Sequence, residues 1–173
     1  MQNSKKEWDG IMRHITSLTI KYLQAQIAAG VDAVQVFDSW AGMLSKTEYS
    51  EYAGAYTKKV FDGLPGGVPK IHFCAKSSGL LEELSRSGCD VLSIDSGTSI
   101  RDAFERTGGR LVLQGNLSPE IAARGGRKLD DAVAGILSSI SNRRAFIFNL
   151  GHGVLKGTPP NNLKKIVRIV HEF

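Results

Sequence analysis

What the 173-residue sequence lacks narrows its class before any motif is read. Two cysteines, Cys74 and Cys89, are too few for a disulfide framework, and reduced thiols suit the cytosol. Apolar runs reach only strand length, so no membrane span is expected. The opening Met1-Gln2-Asn3-Ser4-Lys5-Lys6 has no apolar core of a signal peptide, which makes a cytoplasmic location the expectation. There is no Lys/Arg-rich run, no zinc-finger spacing and no basic stripe interleaved with aromatics, so nucleic acid is not an expected partner. No Ser, His and acid stand in a recognisable nucleophile arrangement, and Gly115 belongs to no Walker-type phosphate loop.

What is present describes one domain over residues 1–173, with 42% hydrophobic content and a formal charge of +5 that favours anionic partners. From Trp8 to Ala29 apolar residues such as Ile11, Ile15, Leu18 and Tyr22 recur at helical spacing, and Gly30 stops the helix. A strand follows at Val34-Gln35-Val36-Phe37, read as covered on both faces because it is short and apolar. Helix and strand then alternate: a helix from about Thr47 to Phe61, a strand over Pro69–Cys74, a short helix to Arg86 and a strand over Gly88–Asp95. A helix at Ile100–Arg106 and a strand over Arg110–Gln114 come next. A helical stretch from Pro119 to about Ile140, bent or split at Gly125-Gly126, leads to a strand over Ala145–Leu150 and a last helix from Pro160.

Five strands, each followed by a helix, argue for a parallel α/β sheet. A closed (β/α)₈ barrel typically takes ~250 residues. The chain is therefore either an open sheet or a partial (β/α)₈ TIM barrel, about its last five βα units with a preceding helix. Strand ends in such folds carry the ligand. Here they carry Asp38 and Ser39, Lys76 and Ser77, Asp95 and Ser96, Gln114 and Asn116, Asn149 and His152. Asp38-Ser39, flanked by Phe37 and Trp40, suits a polar ligand with a flat apolar body, or simply caps the next element. His152 between Gly151 and Gly153 is placed as a substrate contact or acid/base group, or as a surface histidine. His72-x-Cys74 puts an imidazole and a thiol on the same side of a strand, where with His152 they could hold zinc; two ligands alone fall short of a metal set.

Three separated motifs carry a resemblance. Ala29-Gly30-Val31-Asp32-Ala33-Val34-Gln35-Val36-Phe37-Asp38-Ser39-Trp40-Ala41-Gly42, then Leu113-Gln114-Gly115-Asn116-Leu117-Ser118-Pro119, then Phe148-Asn149-Leu150-Gly151-His152-Gly153 with Thr158-Pro159, resemble the C-terminal part of the uroporphyrinogen decarboxylase family. The resemblance implies a TIM barrel, usually dimeric. It also implies decarboxylation of the four acetate side chains of uroporphyrinogen III to coproporphyrinogen III in haem biosynthesis. Neither metal nor organic cofactor is implied, because the protonated pyrrole of the substrate is its own electron sink. It further implies that Ser39 binds a substrate carboxylate, that Phe37 lines the pocket, that Asp38 orders the strand end beside the substrate, and that His152 contacts a side chain or helps move a proton. The family's arginine-bearing motif, its pyrrole-binding aspartate and a tyrosine near the substrate come from earlier strands. The chain alone is therefore expected to be inactive and to need a homodimeric partner or an N-terminal half. Two other readings stay open: a zinc-dependent relative among the corrinoid methyltransferases, since His72-x-Cys74 falls where their His-x-Cys lies, and a non-catalytic porphyrinogen-binding module.

Overall fold

The computed structural model describes residues 4–140 and 145–173. Helix α1 (Lys5–Ala28) comes first and packs inward through Leu23 with Ile20 and Ile27 beside it. Its opposite side leaves Ile11, Ile15, Leu18 and Tyr22 exposed. After Gly30 the chain enters β1 (Val34–Phe37). A 3₁₀ turn (Ala41–Met43) leads to α2 (Lys46–Tyr49), a π turn (Ser50–Gly54) and α3 (Ala55–Asp62). The start of α2 is fixed by a capping box, in which Ser45 and Glu48 each satisfy the other's backbone N–H.

Strand β2 (Lys70–Cys74) is followed by a 3₁₀ turn (Ser77–Gly79) and α4 (Leu81–Leu84), and β3 (Val91–Ile94) by α5 (Ile100–Arg106). Next come β4 (Val112–Leu117), α6 (Pro119–Arg124) and α7 (Gly126–Ser138), with the expected break falling at Gly125. Strand β5 (Phe146–Leu150) and α8 (Pro160–Glu172) complete the chain. Strand β4 runs three residues beyond the predicted end, because Gly115, Asn116 and Leu117 pair with Phe148, Asn149 and Leu150. Gln114 and Asn116 are therefore not strand-end groups. They lie within the strand.

The strands form one parallel sheet in the order β1-β2-β3-β4-β5. Unbroken sequential order is that of a barrel wall, whereas a doubly wound sheet reverses at a switch point. Curvature confirms it. Gln114 Nε2 on β4 donates to Ser93 Oγ on β3 at 3.0 Å and to Gln35 Oε1 on β1 at 3.2 Å. On a flat sheet β1 and β4 would stand ~14 Å apart with their side chains parallel. Those two amides would not meet there, so the sheet curls with Gln35, Ser93 and Gln114 on its concave side. The fold is a partial (β/α)₈ barrel.

The convex side carries the main core. Val34, Cys74, Leu92, Ile94 and Leu113 from the strands meet Phe61, Leu80, Leu81 and Leu84 from the helix layer. Leu117 joins a second cluster with Leu129, Val133 and Ile166. Glu82 ties this outer layer together, accepting from Arg106 Nε at 2.8 Å and from Lys46 Nζ at 3.0 Å. The Arg106 guanidinium holds the Glu82 carboxyl down at about 2. Coverage of β1 on both faces is not what forms: Phe37, on the concave side, is 68% exposed.

Candidate functional site

Parallel strands bring their C-terminal ends to one rim, and here the rim loops interlock. A side chain at Gly42, after β1, would collide with the carbonyls of Ala75 and Lys76 after β2. A Cβ at Gly151, after β5, would sit 2.5 Å from Ser96 N after β3. Glycine at these two positions is what lets the loops close on one another. Asp95 ties them further, its Oδ2 accepting the Lys76 backbone N–H and its Oδ1 the Gly97 N–H. Beneath, the Asn116 amide donates to the carbonyls of Asp95 and Thr98.

A cleft of about 640 Å³ opens over this rim, lined by Ser39, Trp40, Lys76, Asp95, Ser96 and His152 among others. A second lobe of about 370 Å³ continues along the concave face past Phe37, Phe73, Ser93 and Asn149. Ser39 and His152 line both lobes. Three rings form a row on this wall: Phe73 lies 5.7 Å from Phe37 and 5.8 Å, edge-on, from His152. A flat apolar molecule could lie against that row while its polar edge reached Ser39. His152 Nδ1 accepts the Gly153 N–H at 2.8 Å, which leaves Nε2 as the proton-bearing nitrogen of the neutral ring. It is thus a hydrogen-bond donor facing the cleft. Glu120 is held below the usual carboxylate range, first by the Ser118 hydroxyl and then by a backbone hydrogen bond, so it faces the cleft ionised.

A family model described as uroporphyrinogen decarboxylase (URO-D) matches residues 1–173. The chain belongs to the uroporphyrinogen decarboxylase family. Curated relatives include the uroporphyrinogen decarboxylase of Carboxydothermus hydrogenoformans, 40% identical over all of this chain and 50% of its own length. That of Nocardia farcinica is 39% identical over all of this chain and 51% of its own. The chain spans about half the length of the curated relatives it matches. Among solved structures, a methyltransferase from Methanosarcina mazei superposes with a TM-score of 0.82 over 91% of this chain and 47% of its own, at 21% identity, which speaks to the fold alone.

Within this decarboxylase-family scaffold the residues singled out from sequence divide in two. Phe37, Ser39 and His152 come together on the cleft. Asp38 does not join them: its carboxylate turns to the helix side, 3.8 Å from His72 Nε2. Its backbone N–H binds the Phe73 carbonyl, and its own carbonyl accepts from Ala41 N–H, so it shapes the turn that presents Ser39. His72 and Cys74 also point to the helix side, His72 against Phe61 and Cys74 within the main core. His152 lies across the sheet from them, so the three cannot converge on one metal. Burial pushes the Cys74 thiol up to about 12, which opposes the thiolate a metal needs. No cluster of three candidate ligands occurs among the described residues.

Phe73 is a wall of the cleft that no motif in the sequence marks. Its signal was the register that sets it beside Phe37, legible only if β1 and β2 are known to end level. Gln114, read as a strand-end group, is instead part of the concave hydrogen-bond network.

Proposed function

We infer that this chain forms the C-terminal wall of a porphyrinogen pocket and takes part in the stepwise decarboxylation of uroporphyrinogen III acetate arms to coproporphyrinogen III. The observation that carries this reading is the Phe37–Phe73–His152 row meeting Ser39 in one cleft of a decarboxylase-family half barrel. The rings offer an apolar face to a pyrrole, and the Ser39 hydroxyl donates to an acetate or propionate carboxylate. His152 Nε2–H donates to a second carboxylate, or passes that proton to the carbon that loses carbon dioxide as it is reprotonated. Asp38 acts behind Ser39 by holding the turn. The electron sink is the substrate's own protonated pyrrole, so these residues bind, orient and move protons.

Preorganised charges that stabilise the transition state supply the largest share of most catalysis. In this reading such groups come from βα units that close the ring. Three more strands between the free edges of β5 and β1 would complete eight. The apolar stripe Ile11, Ile15, Leu18 and Tyr22 on α1 is where the helices of those units would pack.

Fluorescence titration with uroporphyrin tests the wall. Binding by this chain that weakens in Ser39→Ala and His152→Ala supports it, and failure of the unaltered chain to bind overturns it. Coproporphyrinogen production by the chain alone, without further units, would contradict the assignment of the charge-stabilising groups to those units. No helix among the described residues is long and apolar enough to cross a membrane, and action in the cytoplasm completes the proposal.

A further inference from the structure

We propose that Lys76 is the cationic contact of the cleft, taking one carboxylate arm of a polycarboxylated tetrapyrrole; this rests on the reading of the cleft as a porphyrinogen wall. Among the described residues lining either lobe, Lys76 alone carries a full positive charge. Its nearest acidic neighbours in the lining are already engaged. Asp95 spends one oxygen on the Lys76 backbone N–H and the other on Gly97 N–H, and Glu120 accepts from the Ser118 hydroxyl at 2.6 Å. The Lys76 side chain is exposed to the cleft mouth, with no ion pair or hydrogen bond to its ammonium among the described residues.

The backbone makes the same point. Lys76 is the one described non-glycine residue with positive φ, at φ 54° and ψ 37°. The left-handed region disfavours any residue with a Cβ and is comfortable for glycine. A long cationic side chain therefore stands where glycine would be less strained, and such outliers collect at ligand sites whose surroundings hold them in place. The surroundings here do so. Asp95 grips the Lys76 N–H, and the Lys76 carbonyl abuts Gly42, so its Cα is fixed on the rim while the side chain stays free.

Without the ammonium the charged groups of the lining would be carboxylates only, which repel a polyanion. Coulombic attraction in the cleft therefore depends on this one residue, and its charge should govern the salt dependence and part of the affinity.

The test is fluorescence titration of the full chain with uroporphyrin, which carries eight carboxylates, at low and high salt. Lys76→Asn removes the charge but tolerates left-handed backbone, Lys76→Gly removes it and relieves the strain, and Lys76→Arg keeps it. Both neutral variants are expected to bind about tenfold more weakly, as for loss of a charge-assisted contact, and to lose most of the salt dependence. Lys76→Arg should stay within about threefold of the unaltered chain, keeping the charge without the same point geometry. Should Lys76→Asn or Lys76→Gly remain folded and bind like the unaltered chain, the assignment of Lys76 is wrong while the wall reading survives. If the unaltered chain itself does not bind uroporphyrin, both fall together.

Discussion

The two faces of the sheet are built on opposite principles. The convex face is dry over β2 and β3, where Leu92, Ile94, Cys74 and Phe61 are fully buried beneath the helix layer. The concave face is half polar and open, with Gln35, Ser93 and Gln114 bonded to one another and with Phe37 and Ile147 exposed at 68% and 41%. Burial drives folding at roughly 25 cal/mol per Å² of apolar surface, so the convex side holds the chain together. The concave side gives up that stabilisation and keeps a wall on which a ligand can lie. Residues of one strand serve both ends: on β2 His72 and Cys74 look outward and Phe73 inward.

The sharpest way to break this contrast is to cut the dry side. Leu92→Ala should cost about 3 kcal/mol in chemical denaturation, since the closed core cannot collapse into the gap. A loss below about 1 kcal/mol would mean that the convex core is not what holds the sheet together. Next in size, Gln114→Leu should cost about 1–2 kcal/mol, because Ser93 and Gln35 lose their shared donor in a largely buried place. No loss there would show that the concave network is ornamental.

A smaller effect belongs to the outer layer. The Glu82 carboxyl sits at about 2 in the folded chain against an ordinary 4.5, with Arg106 as the main cause. On acidification the unfolded chain binds that proton first. The stability contributed by Glu82 is thus complete above about pH 4.5 and is lost as pH falls toward 2. Because the pair is nearly a third exposed, its worth is about 1 kcal/mol or less. Glu82→Gln should flatten this acid limb and leave stability at pH 3 and pH 6 closer together than in the unaltered chain. The smallest effect on stability is expected from Phe37→Ser, within about 0.5 kcal/mol, while uroporphyrin affinity drops. A large destabilisation would show that Phe37 holds up the wall instead of serving the ligand.

Much of the architecture could be read from residue order. Helical spacing from Ile11 to Ala28 and the stop at Gly30 mark α1, and Gly125-Gly126 divides α6 from α7, because these signals are local. The end of β4 was not legible. Gln114-Gly115-Asn116 has the composition of a turn, and only pairing with β5 makes it strand. Nor was the openness of β1 legible, since Val34, Val36 and Phe37 read alike whichever face is covered. Ser39 and His152 were singled out by motif, yet their meeting depends on curvature that no local pattern encodes. Asp38 was grouped with them by adjacency, and the alternation of strand directions sends it the other way. The left-handed backbone of Lys76 leaves no trace in a lysine codon's neighbourhood at all.

The amide bond from Gln114 to Gln35 acts as a chord drawn across an arc. An arc held by its own chord keeps its radius whether or not the circle is finished. Any strand added at either free edge would therefore meet a template of preset diameter and would have to match that gauge instead of defining it.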